Sequence, residues 1–325
     1  MEGCGMTMLL TLLLGAFFTM VELNCENLFD CQHDSLFDDG NFLPEGSYRW
    51  TPYRYWRKLQ RVGQTIVACG DKPKGQENAV YQCPDLVALV EVENDSVLHD
   101  LTRRSILRKA GYRYVMTHSP DRRGIDVALL YAPSSFRLVA HTSFRIKPLP
   151  HAKPTRDVLY VKGCTKWVDT LHVFVVHWPS KAGGARATEP YRLRVAQVLK
   201  KAVDSILVVN PHAGILIAGD FNADYRSISF NALVKPPLVD ISQQAIGNHG
   251  AKGTYRYQGK WERLDHIVCN EALRTTLESC WIGDFPFLME PDEKYGGWKP
   301  KRNYLGPIWK DGFSDHLPLV ARFAM

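Results

Sequence analysis

The chain has 325 residues, a formal net charge of +6, 45% hydrophobic residues and 23% charged residues. This is an ordinary globular composition, which excludes a disordered chain, a collagen-like chain and a membrane protein with several spans. The 8 cysteines are too sparse and too irregularly spaced to form a disulfide scaffold. The mild positive charge is compatible with a phosphate-bearing substrate but does not identify one.

The chain begins with an apolar leader at residues 1–18. Within it, residues 6–18 read MTMLLTLLLGAFF, which is similar to the apolar core of a secretory signal, although the usual preceding basic residues are missing. A first buried strand with an apolar extension is the alternative. We expect an exported or membrane-anchored protein with a single domain over residues 19–325, and a cytoplasmic location stays open.

Short apolar runs rich in Val, Ile, Leu and Phe predict eight buried strands. They lie at residues 18–23, 86–92, 127–131, 158–161, 171–176, 215–218, 264–268 and 319–323. Amphipathic patterns predict helices at 55–69, 95–110 and 188–207, the third with Thr188 as its cap and Pro190 in its first turn. Several neighbouring strands lack a helix between them. We therefore predict an α/β (α+β) four-layer sandwich of two packed, mainly antiparallel β-sheets flanked by helices.

Polar and ionisable side chains follow or begin most of these strands, and such positions can converge on one rim of a sandwich. Their oxygen-rich side chains suit Mg²⁺, Mn²⁺ or Ca²⁺. No HExxH, Cys/His cluster, GxSxG or P-loop occurs, which disfavours a zinc hydrolase, a serine hydrolase and a P-loop enzyme.

Seven motifs in a fixed order make the sequence similar to the endonuclease/exonuclease/phosphatase superfamily, over about residues 20–325. One such motif would be weak evidence, but seven in order, each beside a strand, are a strong joint signal. The first motif and residues 253–267 most resemble a bacterial branch. The motifs are NCENLFD (24–30), PDLVALVEVEN (84–94), GIDVALLY (124–131), VVHWPS (175–180), GDFNAD (219–224), ERLDHIV (262–268) and FSDHLPL (313–319).

The resemblance implies a divalent metal site. Glu91 aligns with the main metal ligand of the family, and Asn24, Glu26 and Asp315 are its expected companions. The spacing of two residues between Asn24 and Glu26 would place both side chains on one face of an extended segment. A turn-capping pair is the alternative for these two residues. The expected cofactor is Mg²⁺ or Mn²⁺, with Ca²⁺ also compatible, and no organic cofactor is expected.

The resemblance also implies catalytic roles. Asp220 would orient or deprotonate the attacking water, and Asn222 would hold the water or a phosphate oxygen. His316 would stabilise charge on the scissile phosphate, while Asp265 would hydrogen-bond His316 and keep it cationic. His177 is similar to a histidine of the pancreatic-type deoxyribonucleases, and a histidine that is simply buried at a strand end is its alternative.

Three further residues are interpreted more simply. His266 adjoins Asp265 in a strand, so it should point to the opposite face as a packed or surface histidine. Arg156 could bind a substrate phosphate, or form a structural ion pair with Asp157 or another acid. Asp126 lies among apolar residues and would need a partner, which makes it a second candidate at the substrate phosphate.

These observations predict a metal-dependent phosphodiesterase, with a nuclease as the leading hypothesis. A phosphatase or phosphodiesterase acting on a sugar, nucleotide or lipid-headgroup phosphate is the second, and a non-catalytic binding protein on the same scaffold is the third. Residues 48–58 and 294–304 interleave aromatic and basic side chains, which could track DNA or RNA or could be basic surface alone. A monomer is expected.

Overall fold

The computed structural model describes residues 17–70, 81–150 and 152–324. Residues 1–16 of the predicted leader lie outside the described residues, whereas residues 17 and 18 begin the first strand. In the described ranges the helices are α1 (Pro52–Ala68), α2 (Asp95–Arg103), α3 (Ala185–Val209), α4 (Ile228–Leu233) and α5 (Glu271–Arg274). Short 3-10 turns lie at Gly40–Phe42, Ile106–Lys109 and Pro286–Leu288.

The strands of the described residues fall into two large groups and three small hairpins. In chain order they are β1 (Phe17–Leu28), β2 (Leu86–Val92), β3 (Arg113–Met116), β4 (Asp126–Tyr131), β5 (Arg137–Phe144), β6 (Val158–Cys164), β7 (Leu171–His177), β8 (Gly214–Asp220), β9 (Leu238–Asp240), β10 (Tyr255–Tyr257), β11 (Lys260–Glu262), β12 (Asp265–Asn270), β13 (Leu277–Ile282), β14 (Met289–Pro291), β15 (Trp298–Pro300), β16 (Tyr304–Leu305), β17 (Ile308–Trp309) and β18 (Leu319–Ala324).

Two six-stranded sheets form the centre of the fold. The first has the order β13-β18-β1-β2-β4-β3 and the second the order β5-β6-β7-β8-β12-β9. Each sheet contains one parallel pair, β1–β2 and β7–β8, and its other pairs are antiparallel. The predicted pair of mainly antiparallel sheets is confirmed.

Three apolar cores separate four layers. Met20, Val90, Val175 and Ala218 belong to the core between the sheets. A second core packs α1 and α2 on the outer face of the first sheet, and a third packs α3 and α4 on the outer face of the second. Burial on both faces explains why the central strands are continuous apolar runs and not alternating patterns. The predicted four-layer sandwich is therefore confirmed.

The apolar runs located the central strands and missed the edges. All eight predicted strands are present, but the four edge strands of the two large sheets, β3, β5, β9 and β13, were not predicted. The edge strand β5 is mostly exposed, so its sequence carries no long apolar run. Within the described ranges, no helix has both the length and the apolar content needed to cross a bilayer.

Two helix predictions need correction. The helix predicted at 95–110 ends at Arg103, and the Ser105 hydroxyl caps a separate 3-10 turn by accepting a hydrogen bond from the Leu107 amide. The helix predicted to start at Thr188 starts at Ala185, with Pro190 inside it. Gly184 precedes this start with a φ of 110°, a backbone conformation that favours glycine and ends the preceding loop.

His266 forms hydrogen bonds that hold the loop after β8 in place, which agrees with its interpretation as a packed residue. Its Nδ1 lies 2.9 Å from Asp240 Oδ2, and its Nε2 lies 2.9 Å from the Ala223 carbonyl oxygen. Burial alone would lower the pKa of His266, but Asp240 outweighs it and the pKa is raised. The pair therefore holds β9, β12 and the 220–224 loop together.

We expect Asp240→Asn to lower the free energy of unfolding by about 3 kcal/mol at pH 6, since it removes one partner of a buried pair. The ion-pair contribution is present while His266 is protonated and is lost as pH rises through its raised pKa, so the deficit should shrink at pH 9. Urea unfolding at both pH values measures this. Asp204→Asn, in the exposed pair with Lys200, is the control and should change little. An equal Asp240→Asn deficit at both pH values would contradict the assignment.

Candidate active site

Three neighbouring strands of the second sheet bring three ionisable residues into one row. In the strand register His177 of β7 lies beside Asp220 of β8, and Asp220 lies beside Asp265 of β12. The first two strands are parallel and end here, while the antiparallel third strand begins here. All three side chains are buried. Sheet pairing alone therefore assembles three of the five predicted catalytic residues at one end of the second sheet.

The first sheet supplies two more residues across the gap between the sheets. Asn24 of β1 is paired in register with Val90 of β2, so it lies beside Glu91. The side-chain amide of Asn24 donates a hydrogen bond to Asp220 Oδ2 at 3.3 Å. Glu91 Oε2 accepts a hydrogen bond from the Asn27 backbone amide at 2.9 Å. The ends of the two sheets thus meet at the predicted rim.

The backbone at this rim is strained. Glu26, Asn27 and Glu91 have φ values of 50°, 58° and 64°, where the register between β1 and β2 shifts. Asn222 also has a positive φ, of 46°. Left-handed backbone costs a residue other than glycine about 1–2 kcal/mol, and such strain concentrates at functional sites. Four such residues around one rim support its interpretation as a functional site.

His316 and Asp265 form the predicted dyad. His316 Nδ1 lies 2.7 Å from Asp265 Oδ2, and the Thr254 hydroxyl donates to the same oxygen. The ring of Tyr255 packs against the imidazole with centroids 4.9 Å apart. Burial works against the imidazolium, but Asp265 and the neighbouring carboxylates outweigh it and hold the pKa of His316 well above its usual value. The site therefore contains a buried cation.

Asp220, Asp265 and His316 form a group with the chemistry of a metal site. One ligand atom from each lies within 4.8 Å of the others. Burial, followed by repulsion from Asp265, raises the pKa of Asp220 to about 7. Asp265 Oδ1 is buried, and no N–H or hydroxyl group of the described residues donates to it. Crowded carboxylates fit a divalent cation, which prefers such hard oxygen ligands.

His177 lies between Glu91 and Asp220. Its Nε2 is 3.8 Å from Glu91 Oε1 and 3.8 Å from Asp220 Oδ2, and its Nδ1 is buried without a hydrogen-bond partner in the described ranges. Burial, and then the charges of Arg156 and Arg123, hold its pKa well below the usual value. The imidazole is therefore neutral and close to both carboxylates.

Asn222 lies at the outer side of Asp220. Its backbone amide donates to Asp220 Oδ1 at 2.7 Å, and its side-chain amide donates to the Trp178 carbonyl at 3.1 Å. Neither of these two hydrogen bonds uses the side-chain oxygen of Asn222. The spacing of two residues in the GDFN motif is thus a tight turn that carries both side chains to the rim.

Glu26 and Asp315 form hydrogen bonds with residues 302–304 and not with the row of His177, Asp220 and Asp265. Glu26 accepts hydrogen bonds from the backbone amides of Asn303 and Tyr304, at 2.6 and 3.0 Å, and Asp315 accepts one from Arg302 at 2.8 Å. Burial, followed by Asp315, raises the pKa of Glu26 to about 7. The extended geometry assumed for the spacing of Asn24 and Glu26 does not hold, because Glu26 is left-handed. The metal role of Glu26 and Asp315 stays a prediction.

Arg156 is buried and makes two directed contacts. Its Nη1 donates to Asp121 at 3.0 Å and its Nη2 donates to the Trp178 carbonyl at 2.7 Å. The acid beside it in sequence, Asp157, is instead paired with Arg145 at 3.0 Å. Arg156 is therefore held by a structural ion pair next to the site, and its predicted role at a substrate phosphate stays a prediction.

The carboxylate of Asp126 is hydrogen-bonded by residues of the turn between β3 and β4. Its carboxylate accepts hydrogen bonds from the Ser119 backbone amide at 3.0 Å and from the hydroxyls of Ser119 and Thr117. This satisfies the requirement that an acid among apolar residues should have partners. The contacts close the turn between β3 and β4, and the role of Asp126 at a substrate phosphate stays a prediction.

Glu22 is a site residue that the sequence analysis missed. It is fully buried in β1, two residues before Asn24, and its side chain contacts Asp265. Burial, followed by Asp265, raises its pKa well above the usual value, so the carboxyl is neutral and can donate a hydrogen bond to Asp265. The available signal was one acid inside the apolar run FFTMVEL.

We expect Glu22→Gln to change the free energy of unfolding by less than about 1 kcal/mol, because an amide can still donate to Asp265. Glu22→Ala should cost about 2–4 kcal/mol, since it leaves a cavity and removes that donor. Urea unfolding of the two variants and the parent measures both effects. Equal destabilisation by the two substitutions would show that Glu22 does not act as a neutral donor.

Comparisons with known proteins agree with this arrangement. A sequence profile of the endonuclease/exonuclease/phosphatase family matches residues 19–324. No curated protein sequence matches the chain significantly.

Several solved structures share the fold. A family protein from Bacteroides thetaiotaomicron is 15% identical, covers 94% of each chain and has a TM-score of 0.60. D. rerio TDP2 complexed with a single strand DNA product is 14% identical over 95% of this chain and 100% of that chain, with a TM-score of 0.56. A functionally unknown conserved protein from Enterococcus faecalis is 15% identical over 95% and 100%, with a TM-score of 0.58. At sequence identities this low, the structural similarity establishes a common fold and nothing further.

Proposed function

Since the chain belongs to the endonuclease/exonuclease/phosphatase family, we propose that it is a divalent-metal-dependent phosphodiesterase that cleaves nucleic acid. The observation that carries the proposal is the buried group of Asp220, Asp265 and His316, in which His316 Nδ1 lies 2.7 Å from Asp265 Oδ2 and Asp220 lies beside Asp265 in the strand register. The family is known for metal-dependent phosphodiesterases and nucleases, and the similar D. rerio TDP2 structure holds a single strand DNA product.

We assign the metal ion to the carboxylate of Glu91, whose Oε1 lies 3.8 Å from His177 Nε2. His316 directs its Nδ1 at Asp265, so we assign it to the substrate phosphate and not to the ion. When bound, a divalent cation neutralises a phosphate oxygen and stabilises charge in the transition state.

The remaining steps belong to the side chains. Asp220 takes a proton from the attacking water, for which a pKa of about 7 is suited at neutral pH. Asn222, fixed by its bonds to Asp220 and Trp178, orients that water with its side-chain oxygen. The water oxygen attacks phosphorus in line, and the ester oxygen opposite to it leaves. His316, held by Asp265, stabilises the added negative charge. Positioning and electrostatics suffice for phosphoryl transfer, so no covalent nucleophile is required.

The first test is hydrolysis of plasmid DNA, RNA, bis-p-nitrophenyl phosphate and p-nitrophenyl phosphate with Mg²⁺ or Mn²⁺. We expect polymer and diester cleavage, reduced about 10²- to 10³-fold by His316→Ala, because a stabiliser of transition-state charge is removed. His141→Ala, an exposed histidine on β5, should retain full activity. Cleavage of the monoester alone would make the protein a phosphatase. No cleavage by the parent would contradict the proposal.

The metal assignment has a separate test that does not need activity. Glu91→Ala should weaken Mn²⁺ binding, measured by electron paramagnetic resonance, by at least about tenfold, a loss that even changes outside the ligand shell can cause. His316→Ala should leave the affinity nearly unchanged, and Glu278→Ala, an exposed acid on β13, is the matched control. A larger loss in His316→Ala than in Glu91→Ala would assign the ion to the group of Asp220, Asp265 and His316 instead.

A further inference from the structure

A cavity of about 650 Å³ is lined by Arg156 and by the loop that follows His177 at the end of β7. Loops supply three of its walls, at residues 121–123 after β3, at 146–149 and 152–156 between β5 and β6, and at 179–182 after β7. The fourth wall is the first part of α3, with Thr188, Tyr191 and Arg194. This volume lies in the range of small-molecule sites, so the cavity can take a group as large as a nucleotide unit.

The lining of this cavity is strongly cationic. Lys147 and Lys153 from one loop and Arg194 from α3 have no acidic partner within the described ranges. The other basic side chains of the lining are Arg122, Arg123 and Arg156, and the only acids are Asp38 and Asp121, which pair with them. The unpaired positive charge therefore comes from two different walls and favours an anionic occupant.

Buried donors in the wall also lack partners. Arg156 is 6% exposed, and its Nε is buried without a hydrogen-bond partner in the described part of the chain. The Thr155 hydroxyl is buried and equally unpartnered there. Buried polar groups normally have partners, so residues of the cavity wall hold two unsatisfied donors.

The cavity is joined to the catalytic rim through one carbonyl group. The Trp178 carbonyl accepts hydrogen bonds from Arg156 Nη2, at 2.7 Å, and from the Asn222 side chain, at 3.1 Å. Arg156 thus lines the cavity and shares an acceptor with a residue of the proposed water site. An anion bound by Arg156 would therefore contact a residue that is linked to the proposed water site.

We propose that this cavity binds a second phosphate group of the substrate, adjacent to the one that is cleaved. The inference rests on the proposed function for the identity of the substrate. It makes the cavity a specificity determinant that favours linkages with a neighbouring phosphate over isolated diesters. A free phosphate ion has the same chemistry, and the experiment separates the two sources.

The test compares the dinucleotide TpT with its 5′-phosphorylated and 3′-phosphorylated forms, pTpT and TpTp. The cavity variant is Lys153→Gln with Arg194→Gln, two side chains without ion pairs in the described structure, and the control is Lys201→Gln with Lys235→Gln outside the cavity. Binding is measured by calorimetry in EDTA, where no metal-dependent cleavage occurs. Hydrolysis is measured with Mg²⁺, and bis-p-nitrophenyl phosphate serves as the isolated diester.

We expect one of the two terminal phosphates to tighten binding and lower KM about tenfold, the effect of one charge-assisted contact. The cavity variant should lose this gain, the control variant should keep it, and all three proteins should hydrolyse bis-p-nitrophenyl phosphate equally. The inference is overturned if the cavity variant keeps the gain in binding, or if the parent shows no gain. If inorganic phosphate binds through Lys153 and Arg194 while neither terminal phosphate helps, the cavity serves free phosphate and the inference is also overturned.

The two proposals fail in different ways. If the parent binds the phosphorylated dinucleotide more tightly in EDTA but cleaves no diester, the cavity inference stands and the proposed activity is wrong. If the parent cleaves diesters and the cavity variant behaves like the parent with every substrate, the proposed activity stands and the cavity inference is wrong.

Discussion

Several carboxyl groups are held out of water where the ends of two β-sheets meet, and the rest of the site depends on that arrangement. Burial of isolated charges is costly, so each group needs a compensating partner. Asp265 has His316 and Thr254, Asp220 has Asn24 and the Asn222 amide, and Glu22 is neutral. No N–H or hydroxyl group of the described residues donates to Asp265 Oδ1. A divalent cation is the natural complement to such a crowded acidic site.

The sandwich makes this arrangement rigid. Apolar residues such as Met20 and Val175 fill the space between the sheets over most of its length. At the rim, polar contacts replace them, because Asn24 bonds Asp220 across the gap and the Ser314 hydroxyl donates to the Asn24 carbonyl at 2.7 Å. The strained backbone at Glu91 is held by β1 and β2, most of whose residues are buried. The packing of the two sheets thus compensates for the backbone strain and the repulsion between carboxylates at the rim.

Catalytic and substrate-binding groups are separated between the two sides of the rim. Thr254 and Tyr255 contact the dyad of Asp265 and His316, whereas the loop that follows His177 lines the cationic cavity. Only the Trp178 carbonyl lies between Arg156 and Asn222. In the proposed reaction this geometry lets one phosphate react while the next one is bound, and both are positioned by the short loop that follows β7.

The sequence by itself determined the central strands, since apolar runs are local signals, and the resemblance of its ordered motifs to a known family implied the contact between Asp265 and His316. It also placed His266 on the opposite face from Asp265, because side chains alternate along a strand. Tertiary structure alone decided three other contacts. Glu22 contacts Asp265, Arg156 pairs with Asp121, and Glu26 accepts hydrogen bonds from the amides of residues 303 and 304. Each joins residues that are far apart in sequence, and their geometry depends on how two sheets and their loops pack, which no local pattern encodes.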